Sequence, residues 1–130
     1  MKTFRNPPDA HQPQGFYTHQ VEIQGPERLL VVSGQVGARP DGSIPEDNLE
    51  QLDIVLDNIG RNLAAAGMGF AEVFKITYFL AGEFDLARLR EKMRARFGGH
   101  APCSTMLFVA GLASPAYKVE IEVWASRSEE

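Results

Sequence analysis

The sequence predicts an α+β fold, a mixed sheet with two helices packed on one face. Three observations point there. Period-two runs rich in β-branched and aromatic residues flank two segments with three- and four-residue apolar periodicity. Their order is strand, strand, helix, strand, helix, strand, strand, within 130 residues that suit one domain spanning 1–130. The strands are apolar on both faces, although two helices can cover only one. The uncovered face is therefore expected to be buried by association of identical chains.

The elements follow in order. Residues 1–14 hold three prolines and little that could pack, so an extended arm is expected. A strand is predicted over 15–23, a turn over 24–27, and a fully apolar strand over 29–33, the two strands forming a hairpin. Gly34 and Gly37 then allow bending or close approach of the backbone. The first helix is predicted over 46–66, with Leu49, Leu52, Leu56, Ile59 and Leu63 on one face. Pro45, Glu46 and Asp47 suit its start and Gly67 its end. A strand over 70–81 and a helix over 85–97 follow, the latter with Leu86, Leu89, Met93 and Phe97 inward and Arg88, Lys92 and Arg96 outward.

The final stretch organises the chain. Apolar residues at 105–110 and an alternating run at 117–125, separated by a Gly- and Pro-bearing segment, predict a hairpin. Tyr117, Val119, Ile121 and Val123 face one way, and Lys118, Glu120, Glu122 and Trp124 the other. Acids and an indole on one face suggest partial cover by another subunit.

Composition narrows the function. Net charge is −4 and the pI about 5.4, which argues against nucleic acid or an acidic membrane as partner. The N-terminus is polar and Pro-rich, unlike a signal peptide, and no apolar run approaches the roughly 20 residues that span a bilayer. A single cysteine, Cys103, excludes an internal disulfide and fits a reducing cytoplasm. His11, His19 and His100 lack metal-ligand spacing, and no cofactor motif is read. Cys103 has no histidine at a telling distance, so a small packed residue is the expectation rather than a nucleophile.

The stretch VVSGQVG at 31–37, LAAAGMGFAEVFKITYFL at 63–80, the KVEIEVWA ending and Tyr17 together resemble the RidA/YjgF family, also called L-PSP endoribonucleases. The resemblance covers nearly the whole chain. It implies a chorismate mutase-like fold and a homotrimer with sheets inside, helices outside and a small-molecule site in each intersubunit cleft. It also implies hydrolysis of enamines and imines such as 2-aminoacrylate, with an Arg gripping the substrate carboxylate and a Glu handling the attacking water. Glu120 matches that Glu. Tyr17, Ser33, Gly34 and Gln35 match cleft residues.

Four positions depart from the pattern. Aligning 102–106 on Pro-x-Arg-Ser-Cys puts Ser104 in place of the Arg, Thr105 in place of the Ser and Met106 in place of the Cys. Phe84 stands where an Asn begins the second helix. The sequence places no other Arg in the cleft, although Arg5 and Arg39 lie in segments that could reach it. Weak activity on carboxylate-bearing enamines and a neutral or aromatic ligand are therefore expected, with no resident cofactor. Two further functions stand beside imine or enamine hydrolysis: a non-catalytic ligand-binding trimer, and an endoribonuclease using the Arg88/Lys92/Arg96 stripe. The acidic whole makes that stripe more plausible as a solvated helix face. Glu120 is balanced between an interface acid and a catalytic one, while Tyr17 and Ser33 read equally as packing and strand-end residues.

Overall fold

A computed structural model describes residues 1–129, and within it eight regular elements form two layers. They are strand β1 (Lys2–Arg5), β2 (Gln20–Ile23), β3 (Glu27–Val36), helix α1 (Asn48–Ala65), β4 (Val73–Ala81), helix α2 (Leu86–Phe97), β5 (Cys103–Val109) and β6 (Val119–Ser128). A four-stranded mixed sheet runs β3-β6-β4-β5, and β1 and β2 make a separate antiparallel pair.

Local chemistry sets the helix limits. Asp47 and Asp85 are the N-caps, their carboxylates accepting from the backbone N–H of Glu50 (2.9 Å) and Arg88 (3.1 Å). Gly98, at φ 62°, closes α2 in the left-handed conformation. Both helices pack on the same sheet face. Leu52, Leu56, Ile59 and Leu63 of α1 and Leu89 and Met93 of α2 meet Ile76, Leu80, Val119, Ile121 and Val123, all at 1% exposure or less. The helices are also tied to each other, Lys92 to Asp53 at 3.0 Å and Arg96 to Asp57 at 2.7 Å.

Neither predicted hairpin forms. The runs at 105–110 and 117–125 are not neighbours: β5 pairs with β4 in parallel, α2 being the crossover, and β6 inserts between β3 and β4. A Gly- and Pro-bearing link between two apolar runs looks the same locally in either topology. Burial decides between them. Val119, Ile121, Val123 and Ala125 are at most 1% exposed, which demands a central strand, whereas β5 at the edge leaves Leu107 and Phe108 exposed. At the other end, β2 pairs with β1 rather than with β3. Residues 15–19 are irregular, because Phe16 turns inward at 8% exposure to meet Phe97 edge-on. The N-terminal arm is extended but packed: Phe4 meets His100, and Lys2 Nζ donates to Ser126.

The second sheet face carries no helix. Cross-strand rows there read Val31, Trp124, Lys75, Cys103 and, further along, Val36, Glu120, Phe79, Leu107. Leu29, Val31 and Trp124 lie exposed on it. Among the described residues no helix is long and apolar enough to cross a membrane.

Candidate functional site

A cavity of about 280 Å³ opens on the helix side of the sheet, between α2 and the β4–β5 edge. The 14–17 segment roofs it, Tyr78, Ser104 and Met106 form its floor, and Leu89 and Arg90 form the α2 wall. Register explains the floor. Ser104 is the cross-strand partner of Ile76 and Met106 that of Tyr78, so all four share the face that α2 covers.

The roof is held at both ends. Thr18 donates from its N–H to the Pro102 carbonyl (3.1 Å) and from its hydroxyl to that of Ala101 (2.5 Å). Phe16 is pinned between Phe97 and the Arg94 guanidinium, which lies 5.7 Å from its ring centre. Between these anchors the Tyr17 hydroxyl accepts from the Gln14 N–H (3.2 Å). Gly15 lets Arg90 pass close: a Cβ there would lie 3.3 Å from Arg90 Nε.

Two polar groups of the cavity are unmatched. Tyr78 is 2% exposed and its hydroxyl makes no hydrogen bond with any described residue; burial pushes that hydroxyl well above the usual phenol range, against a smaller opposing pull from the Arg90 charge. Arg90 makes no ion pair or hydrogen bond among the described residues, and no acid lines the cavity.

The other predicted site residues lie elsewhere. Glu120 pairs in register with Phe79, on the helix-free face opposite Ser104. Its carboxylate rests against Gly34, where the β3 ladder is interrupted between Val32 and Gln35. A Cβ at Gly34 would stand 2.8 Å from Glu120 Cδ. Ser33 is exposed beside it, and Gln35 turns its Nε2 back onto the Ser33 carbonyl (2.9 Å). Thr105 also faces outward, accepting from Lys75 Nζ at 2.8 Å. Phe84 sits in an open groove with Phe108 at the end of the sheet. The chain thus gathers Tyr17, Ser104 and Met106 on one sheet face and Ser33, Gly34 and Glu120 on the other, whereas Gln35 pairs with Ile121 and accepts from Asn62 of α1 (3.4 Å), toward the helix side.

The two arginines left as replacements for the missing one are engaged elsewhere. Arg5 pairs with Glu22 at 2.7 Å and Arg39 with Glu50 at 3.6 Å. The sequence reads Arg90 only as one more cation on the outer face of the second helix, yet a signal for its position was there. It lies four residues after Leu86 and three before Met93, at the border of the buried α2 face. The basic stripe is largely neutralised in place: Lys92 and Arg96 pair with α1, and Arg88 lies 3.8 Å from Glu91. Burial raises the Cys103 thiol above its usual range, with Lys75 opposing, so it is not an activated nucleophile. Among the described residues no cluster of three or more His, Cys, Asp or Glu could hold a metal.

Comparison with known proteins joins these observations. The model of a family described as endoribonuclease L-PSP matches residues 8–127. A mouse 2-iminobutanoate/2-iminopropanoate deaminase is 34% identical over 113 residues, covering 85% of this chain and 81% of the relative. Among solved structures, a Yersinia pestis protein of the conserved Rid family, YyfB, superposes with a TM-score of 0.85 at 28% identity, covering 95% of this chain and 97% of its own. Escherichia coli TdcF, solved with bound serine, superposes at 0.70 with 27% identity and 93% coverage of both chains.

Proposed function

Because the chain belongs to the endoribonuclease L-PSP family, the RidA/YjgF family with its imine deaminases, we propose that it hydrolyses the C=N bond of a small imine in a cleft between copies of itself. The observation that carries this is the division of the site between two sheet faces. Tyr17, Ser104 and Met106 belong to a cavity on the helix side, while Glu120 lies on the bare side. No single chain can bring the two groups to one molecule. A homotrimer of chorismate mutase-like architecture, its bare sheet faces turned inward, would set the Glu120 of one copy opposite the cavity of the next. The exposed Leu29, Val31 and Trp124 would be covered in the same step.

The chemistry needs little more than that. Glu120 accepts a proton from a water as its oxygen attacks the imine carbon, and the C=N π pair moves to nitrogen, which takes up a proton. The tetrahedral carbinolamine then loses ammonia as its C–N bond breaks and the carbonyl forms. An enamine enters the same course after protonation at carbon. Gly34 supports this role, since its lack of a side chain leaves the carboxylate lying on the strand backbone.

The test generates a 2-carbon to 4-carbon imine in place and follows the carbonyl product, with light scattering on the same sample. A trimer that accelerates hydrolysis and loses roughly a hundredfold on Glu120→Gln supports the proposal. A monomer, or a trimer no faster than buffer, removes it; in the latter case the neutral Ser104 in place of a cation favours a protein that binds without reacting.

A further inference from the structure

Arg90 borders the cavity as a cation without a counter-ion among the described residues. The other α2 cations are occupied: Arg88 by Glu91, Lys92 by Asp53, Arg96 by Asp57, and Arg94 by the Phe16 ring. Arg90 instead borders the cavity with no hydrogen bond or ion pair to a described residue. Tyr78, on the same cavity, is 2% exposed and its hydroxyl has no acceptor among the described residues. Among the described residues no buried side-chain polar atom is left without a partner, so the Tyr78 hydroxyl keeps access to the cavity rather than being sealed off. Here a guanidinium with five donors and a phenol with one converge on a space that contributes no acid.

We propose that Arg90 and Tyr78 form an anion pocket that holds the carboxylate of a small organic acid, the guanidinium gripping both oxygens and the phenol donating to one. The positive charge that position 104 lacks is supplied from α2, across the cavity from β5. The pocket takes a single carboxylate, because it has a single cation. Its other walls mix apolar Phe16, Leu89 and Met106 with polar Gln14, Tyr17 and Ser104, and its volume is about 280 Å³, so the rest of the ligand is short. The inference rests on the proposed site in locating the substrate there. It departs from the expectation of a neutral ligand, while leaving Ser104 as a hydroxyl beside the bound acid.

The test uses ligands that cannot react. Butanoate and its neutral counterpart butanamide are titrated by calorimetry into the assembled protein, wild type, Arg90→Met, Arg90→Lys and Tyr78→Phe, each checked for an unchanged assembly state and thermal midpoint. Butanoate is expected to bind more tightly than butanamide. Arg90→Met should weaken butanoate by roughly tenfold or more while leaving butanamide alone. Arg90→Lys, which keeps the charge but not the fork, should fall between, and it carries the test if Arg90→Met does not fold. Butanoate binding that ignores both Arg90 variants, or no preference for butanoate over butanamide, overturns the pocket. Arg90-dependent butanoate binding in a protein without imine hydrolysis upholds the pocket and removes the enzymatic proposal. Hydrolysis that persists in Arg90→Met with unchanged KM for a carboxylate-bearing imine upholds the enzyme and removes the pocket.

Discussion

Glu120 lies directly over Gly34, its carboxyl carbon 2.8 Å from where a Cβ at position 34 would stand. The backbone of Gly34 is not in the left-handed region, so the glycine is required by space rather than by conformation. Gly34→Ala is therefore expected to push the carboxylate off its present position. In a strand this change would otherwise be neutral or mildly stabilising. Hydrolytic rate should fall by about tenfold or more while the thermal midpoint holds, since small displacements of catalytic groups are expensive. Comparison of kcat with thermal unfolding in the same variant checks the split; parallel loss of both would mean that position 34 matters only for folding.

Gln51 is fully buried and has every polar atom satisfied. Its Nε2 donates to the carbonyls of Pro45 (2.8 Å) and Ala116 (2.9 Å), and its Oε1 accepts from the Lys118 N–H (2.9 Å). Gly37 lies against it, where a Cβ would stand 2.6 Å from Gln51 Cβ. Gln51→Leu keeps the bulk and abandons three backbone groups. At roughly 1–3 kcal/mol for each buried group left unpaired, a loss of about 3 kcal/mol or more is expected in denaturant unfolding. A change under about 1 kcal/mol would mean that water replaces the side chain.

Tyr78 carries a hydroxyl that burial raises above its ordinary value of 10.0, with Arg90 pulling weakly the other way. The folded state thus holds this proton more tightly than the unfolded state does. Its contribution to stability is present below pH 10 and is lost as pH rises toward the folded-state value. Phenolate absorbance in an alkaline titration should show a late component that Tyr78→Phe removes. If Tyr78→Phe removes an early component instead, the cavity is wetter than the structure indicates.

The α1–α2 seam uses the cations that would otherwise make a basic stripe. Asp53→Asn frees Lys92 but is expected to cost only about 0.2–1 kcal/mol, because the pair is partly solvated. Single-stranded RNA binding measured at physiological salt should stay weak in the wild type. Strong binding abolished by reversing Arg88, Lys92 and Arg96 would contradict this assignment.

Much of the fold is legible in the sequence, and what is missed has one physical origin. The helix faces and the inward set of Val119, Ile121 and Val123 follow from local periodicity, and the helix starts lie within two residues of where they are read, at the N-caps Asp47 and Asp85. The pairing of strands does not. A linker such as 110–118 turns back or crosses over according to which strand most needs burial on both sides, a property of the whole core. The same limit applied to the site. Glu120 and Ser104 could be named from position, but alternation alone could not tell that they lie on opposite faces until β5 was known to run parallel to β4. Arg90 was legible only as one of several helix cations. Its difference lies in being the one at the cavity without an acid nearby.

The central claim, that one site is built by two copies, has a direct measurement. Ser104→Trp plugs the cavity and Glu120→Gln disables the opposite face, so each variant trimer alone should be inactive. Refolding the two together in equal amounts places an intact cavity beside an intact Glu120 in roughly a quarter of the clefts, one half for each neighbour. Activity recovered to about a quarter of wild type is the predicted result. Mixed trimers, verified by mass, that remain as inactive as either parent would contradict a shared site.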